Sequence, residues 1–131
     1  MTRVLIADDD TEMRQLLAAS LSHFGFDVDT AKDGNELLER LHGGEEGPAP
    51  DVVITDVHMP GWGGLQVLPW VKSWRPHLPV VLITAFADAE VRKLAAELGA
   101  SVVLDKPFDL DALKDAIDRL LARTAEGTPP S

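Results

Sequence analysis

The sequence predicts a three-layer α/β fold built on a parallel sheet. Three observations carry that prediction. Five short apolar runs punctuate the chain, a segment of helical period follows each, and polar residues gather where the runs end. Strand–helix alternation repeated five times implies parallel strands joined by right-handed crossovers. In such folds ligands sit beyond the carboxyl ends of the strands.

The apolar runs are Val4–Ala7, Phe26–Ala31, Val52–Thr55, Val80–Thr84 and Val102–Leu104. All but the second are nearly continuous in apolar character, as strands buried on both faces require. In the second, Phe26, Val28 and Thr30 alternate with Asp27 and Asp29, which marks a more exposed edge strand. The first helix shows Met13, Leu16, Leu17, Leu21 and Phe24 at helical spacing, with Asp10 as N-cap and Gly25 as a stop. The second carries Leu37, Leu38 and Leu41 behind Asp33-x-x-Glu36, which has the form of a capping box. The third, about Leu65 to Trp74, contains Pro69, so it is predicted to be short, kinked or late in starting. Val91, Leu94, Ala95 and Leu98 form the fourth stripe, which ends at Gly99. The fifth runs through Leu110, Leu113, Ile117, Leu120 and Leu121, after Asp109 as N-cap.

The 131 residues suffice for one hydrophobic core and not for two. The sequence divides into a domain over 1–123 and a segment 124–131 (TAEGTPPS), a disordered tail or the start of a linker. Gly43–Pro50 (GGEEGPAP) reads as a polar loop. No stretch is apolar enough to span a membrane, and no signal peptide opens the chain, so a soluble, cytoplasmic protein is expected. With no cysteine, disulfides, thiolate zinc sites and thiol catalysis are excluded. A net charge of −10 repels phosphate backbones, so this segment is not expected to bind nucleic acid directly.

Some of the acids fall at the strand ends. Asp8, Asp9 and Asp10 follow the first strand and Asp56 the third; Thr84 ends the fourth, and Asp105 and Lys106 follow the fifth. If the strands are parallel, these groups converge on one sheet edge, where crowded carboxylates raise one another's pKa values. A bound Mg²⁺, which prefers oxygen ligands, resolves that conflict. With Lys106 and Thr84 beside it, the site suits a phosphoryl group, whose transfer depends on positioning and charge neutralisation. A central carboxylate can then act as nucleophile and form an acyl phosphate, and Asp56 is the best placed.

The chain resembles a bacterial response-regulator receiver domain from Thr2 to about Arg123. The matching segments are VLIADDD (Val4–Asp10), VVITDVHMPGWGG (Val52–Gly64), VVLITAFAD (Val80–Asp88), LGASVVLDKPF (Leu98–Phe108) and the helix that follows. The resemblance implies a flavodoxin-like, doubly wound five-stranded parallel sheet in the order 2-1-3-4-5, with five helices. It further implies that Asp56 is the phosphoacceptor and that Asp9 ligates Mg²⁺ directly, Asp8 acting largely through water. The His58 backbone carbonyl would be another metal ligand. Thr84 and Lys106 would each hold a phosphoryl oxygen, and the Lys106–Pro107 peptide would be cis. The implied function is a signalling switch of a two-component system. A sensor histidine kinase or phosphotransfer protein donates the phosphoryl group, and slow autodephosphorylation removes it. An effector protein, an output domain or a second copy would be controlled through the fourth helix, fifth strand and fifth helix.

The chain departs from the family at Val103, where many receivers carry Tyr or Phe as a relay coupled to the threonine. Coupling here is expected to rest more on backbone movement between Thr84 and Asp88. Phe86 and His58, two residues after Thr84 and Asp56, stand where the family adjusts water access, and a bulky Phe86 would shield the phosphoryl group. Simpler readings compete at several positions. Asp10 serves as a cap, Thr84 as a β-branched strand residue and Lys106 as a surface lysine. His23, His42 and His77 lack metal-site spacing, and the resemblance implies that His58 offers its carbonyl rather than its ring. Trp70 and Trp74, four apart, pack on each other, and an exposed tryptophan would instead mark a partner surface. Two rival functions are a phosphorylation-independent interaction module and a Mg²⁺-dependent phosphohydrolase. The second lacks the acid such enzymes carry two residues after the nucleophile, where His58 stands.

Overall fold

The computed structural model describes residues 2–42 and 49–125. Most of the Gly43–Pro50 loop and the end of the expected tail therefore lie outside the described residues. Within them ten elements alternate: β1 (Arg3–Ala7), α1 (Thr11–His23), β2 (Asp27–Ala31), α2 (Gly34–His42), β3 (Val52–Asp56), α3 (Gly64–Trp74), β4 (Val80–Thr84), α4 (Ala89–Leu98), β5 (Val102–Asp105) and α5 (Leu110–Ala125). The five strands form one parallel sheet in the order β2-β1-β3-β4-β5. The order places β2 at an edge, as its alternating acids predict, and its first four residues are half-buried.

Period-two alternation divides the core between the two faces of the sheet. Val4, Ile6, Val52, Ile54, Val81 and Ile83 pack with Leu17 and Leu21 of α1 and Leu113 and Ile117 of α5. Leu5, Val53 and Leu82 face the other way, toward Leu37 of α2, Leu68 of α3 and Ala95 of α4. β3 and β4 are buried along their whole length, which explains why they read as unbroken apolar runs.

Local chemistry sets the helix ends. The Asp10 carboxylate accepts from the N–H groups of Glu12 and Met13 and so caps α1. Gly25, at φ 97°, closes the same helix. The Phe26 N–H reaches the Leu21 carbonyl and the Gly25 N–H the Ser22 carbonyl, the paired bonds of a left-handed helix stop. Asp33 caps α2 through the Glu36 N–H, while the Glu36 side chain turns to Arg40. Asp109 caps α5 through the Asp111 N–H.

One expectation needed correction. α3 neither starts late nor is cut short by Pro69; it begins at Gly64, one residue before the predicted start, and runs eleven residues. Pro69 lies on its exposed side, where water can satisfy the carbonyl left without a partner four residues earlier. α5 is the longest of the five helices, at sixteen residues. Trp70 and Trp74 do pack together, with ring centroids 6.2 Å apart. Trp62 and His42 extend the pair into an aromatic stripe, the Trp62–Trp70 centroids lying 6.2 Å apart and the His42–Trp74 centroids 4.8 Å apart.

Candidate functional site

The strand register aligns the polar residues that the sequence singled out. Ala7 pairs with Thr55, so Asp8 and Asp56 follow side by side where β1 and β3 end. Asp56 pairs with Ile83, and Thr84 pairs with Asp105. Asp8, Asp56, Thr84 and Lys106 therefore gather at the carboxyl ends of four adjacent strands, with Thr84 one step and Lys106 two steps beyond the level of Asp56. Carboxylate oxygens of Asp8, Asp9 and Asp56 come within 4.8 Å of one another. Asp8 and Asp56 are buried and Asp9 is exposed, so the cluster opens to solvent on one side. The cavity beside it, about 390 Å³, is lined by Asp9, by the β3–α3 loop, including His58 and Met59, and by Gln66 of α3.

Asp56 is held through both carboxylate oxygens. Oδ1 accepts the His58 N–H at 2.9 Å, and Oδ2 accepts from the Lys106 ammonium at 2.7 Å. Lys106 also stands 3.6 Å from Asp8 Oδ2. The Lys106–Pro107 peptide is cis, as the resemblance implied. The Lys106 N–H donates to the Thr84 carbonyl at 2.8 Å, which joins β5 to β4 at the site. Thr84 is fully buried, and its hydroxyl accepts the Phe86 N–H at 3.1 Å. The Phe86 ring is 73% exposed, so it does not shield Asp56 in this conformation. The His58 side chain is exposed, as are those of His23, His42 and His77.

Charge is strained here in a way that a cation would relieve. Asp8 Oδ1 accepts the Asp10 N–H, but Oδ2 is buried and has no hydrogen bond. Burial, with help from the neighbouring Asp56 and Asp9 charges, holds the Asp8 carboxyl above the usual carboxylate range; the Asp10 N–H and Lys106 only partly oppose this. Lys106 moves the other way. Burial alone would lower its pKa, and the hydrogen bond and charges of Asp56 and Asp8 outweigh that, raising it above the ordinary lysine value. Three converging carboxylates, one with an orphaned buried oxygen, fit a hard divalent cation with oxygen ligands.

The sign of the Asp8 shift makes a prediction. A carboxylate whose folded pKa is raised binds protons more tightly when folded. The stability it contributes therefore falls as pH climbs from about 3.9, the unfolded value, through the folded one. At pH 7 the ionised group is a cost. Asp8→Asn keeps an acceptor for the Asp10 N–H and removes that charge. In metal-free buffer it is expected to raise the melting temperature by about 2–5 °C, the range that roughly 1 kcal/mol gives in a domain of this size. A lower melting temperature would show that Asp8 is stabilising as a carboxylate.

Sequence reasoning missed three contributors. Arg14 reaches back from α1 to the Asp8 carbonyl at 2.7 Å and pins the β1–α1 loop. Gly63 and Gly64 let α3 approach the site, since a Cβ on either would meet the carbonyl of Val57 or Asp56 at 2.2 or 2.6 Å. Arg92 of α4 bonds Asp105, next to Lys106. Only the glycines left a trace, as the GWGG segment, which gives no hint of what they approach.

Residues 4–118 match the family described as the response regulator receiver domain. The chain belongs to that family. This receiver is 36% identical over 125 residues to the DNA-binding transcriptional regulator NtrC of Klebsiella pneumoniae, a match covering 95% of this chain and 26% of that protein. The chain spans about a quarter to a half of the length of the curated relatives it matches. Its fold superposes on a response regulator receiver domain protein from Clostridium thermocellum with a TM-score of 0.90, at 30% identity, over 98% of this chain and 100% of that one. The Thermotoga maritima response regulator TrrA, solved in complex with Mg²⁺-BeF, matches with a TM-score of 0.80 at 32% identity, over 92% of this chain and 99% of that one. The receiver's flavodoxin-like architecture and strand order agree with the resemblance read from its motifs. Among the described residues, no helix is long and apolar enough to cross a membrane.

Proposed function

We propose that this receiver is a phosphorylation-controlled switch in which Asp56 accepts a phosphoryl group from the phosphohistidine of a sensor histidine kinase or phosphotransfer protein. The observation that carries the reading is the gathering of Asp8, Asp56, Thr84 and Lys106 at the carboxyl edge of the sheet, with both Asp56 oxygens already oriented. Asp8, Asp9, Asp56 and the His58 carbonyl are the residues that would hold Mg²⁺. When bound, it supplies positive charge for the clustered carboxylates and for the phosphoryl oxygens. The Mg²⁺-BeF complex of TrrA supports this assignment by similarity.

The protein's own residues account for the rest. A carboxylate oxygen of Asp56 attacks phosphorus, and an O–P bond forms as the P–N bond to histidine breaks. The electron pair stays on the donor nitrogen, which takes up a proton from solvent. Lys106 exchanges its carboxylate contact for a phosphoryl oxygen and keeps a charged partner throughout. Thr84, the last paired residue of β4, turns its hydroxyl toward a second phosphoryl oxygen. Burial of Asp56 and Thr84 keeps the acyl phosphate partly shielded, consistent with slow autodephosphorylation rather than rapid turnover. Phosphorylation then favours one of two pre-existing conformations, read by an effector protein, an output domain or a second copy at the face formed by α4, β5 and α5.

Residues 1–123 would constitute the receiver unit, working in the cytoplasm. The test is direct. Incubated with a small phosphodonor and Mg²⁺, the protein is expected to gain one phosphoryl group by intact mass. It should gain none when the metal is chelated. Uptake that proceeds equally without Mg²⁺ would refute the metal assignment, and no uptake under either condition would refute the reading.

A further inference from the structure

The α4 side of the molecule carries a contact that phosphotransfer does not use. Arg92, in the first turn of α4, spreads its guanidinium over three acceptors from two other segments. Nε donates to the Ala87 carbonyl at 3.2 Å, Nη1 to the Val103 carbonyl at 3.4 Å, and Nη2 to the Asp105 carboxylate. Ala87 lies in the loop between β4 and α4; Val103 and Asp105 belong to β5. Both segments lead straight to the site. Asp105 precedes Lys106, whose ammonium holds Asp56. Ala87 follows Phe86, whose N–H is held by the Thr84 hydroxyl.

We propose that Arg92 is a latch: it ties the Thr84–Asp88 loop to the end of β5 in the unphosphorylated protein, and phosphoryl uptake at Asp56 loosens its hold on Ala87. The inference rests on the reading of Asp56 and Thr84 given above. A Thr84 hydroxyl drawn toward a phosphoryl oxygen carries its lone pairs away from the Phe86 N–H. Phe86, with its ring in solvent, then has little to keep it or the adjoining Ala87 carbonyl in place. Lys106, drawn to the same phosphoryl group, moves the β5 end of the latch through Asp105. One guanidinium thus senses both sides of the site. The device suits a chain with Val103 where a swinging aromatic would otherwise relay the signal, since Arg92 grips the carbonyl of that same residue. An exposed ion pair alone biases an equilibrium only slightly, and Arg92 and Asp105 are about half exposed. The two backbone carbonyls are what make the contact selective for one loop position.

The experiment compares wild type with Arg92→Ala and Asp105→Asn as full chains, following the backbone amide signals of Phe86, Ala87 and Asp88 by NMR. Each protein is measured with Mg²⁺ alone and then with phosphoramidate, and intact mass reports the adduct. In wild type these three amides are expected to move on phosphorylation. In Arg92→Ala without phosphodonor they should already lie part of the way along the same line, reflecting about a fivefold rise in the ratio of the two states. Asp105→Asn, which keeps both carbonyl contacts, should shift less. Amides of Arg92→Ala that coincide with resting wild type, or that move off the line, would overturn the latch. So would wild-type amides that stay still while the mass confirms an adduct, an outcome that leaves the phosphoacceptor reading intact. If no adduct forms, that reading fails and the latch falls with it.

Discussion

Asp56→Asn is expected to take up no detectable phosphoryl group under conditions in which the wild type does, while remaining folded. An amide carries no negative charge and is a poor nucleophile toward phosphorus. Loss of a nucleophile of this kind costs rate factors on the order of 10⁶ where such losses have been dissected. Folding should survive because Asn is close in size and still offers an acceptor to the His58 N–H or to Lys106, now at 2.9 and 2.7 Å. Lys106 also keeps Asp8 within 3.6 Å, so no buried charge is stranded. Intact mass after incubation with a small phosphodonor and Mg²⁺ checks the uptake, and a melting scan checks the fold. An adduct on Asp56→Asn at the wild-type rate would mean that another residue is the acceptor.

Gly34→Ala is expected to be the most damaging small substitution at the edge of the site. Gly34 is the buried first residue of α2, and a Cβ there would stand 2.1 Å from the Trp62 carbonyl oxygen, 2.8 Å from Trp62 Cβ and 2.9 Å from Val67 Cγ1. Two of those atoms belong to the β3–α3 loop and one to α3, so relief requires moving the loop that carries His58. Overpacking of this severity costs about 1–3 kcal/mol, and alanine's better helix propensity returns at most about 1 kcal/mol. A net loss of about 2 kcal/mol corresponds to a drop in melting temperature of roughly 6–8 °C. The displaced loop should also weaken Mg²⁺ binding, measured by titration at a temperature where the variant is folded. An unchanged melting temperature would show that the α2 and loop backbones separate more easily than their contact implies.

Much of this molecule was legible because its signals are local. β3 and β4 read as unbroken apolar runs since both their faces are covered, and β2 read as an edge because Asp27 and Asp29 tolerate water. Asp10, Asp33 and Asp109 announced three helix starts by a chemistry that operates within three residues. The candidate site was legible for a related reason. In a parallel sheet the strand ends share one edge, so four positions scattered over the chain are brought together by topology alone. What escaped depends on distant partners. Nothing in the run from Leu65 to Trp74 says that Pro69 will face water, which is what lets α3 run through it. Arg14 and Arg92 look like ordinary exposed helix arginines until the carbonyls of Asp8, Ala87 and Val103 are placed beside them. The exposure of Phe86 contradicts the shielding role its bulk suggested, because residue size carries no information on the direction of a loop side chain.

The central claim concerns one atom set, the Asp56 carboxylate, and one measurement addresses it most directly. The phosphorylated protein is treated with borohydride, which reduces an acyl phosphate to the corresponding alcohol, and the modified position is located by peptide sequencing in the mass spectrometer. The account predicts homoserine at position 56 and nowhere else, formed only when Mg²⁺ was present during phosphorylation. Homoserine at position 8 or 9, or a phosphoryl group that survives reduction on Thr84 or a histidine, would contradict it.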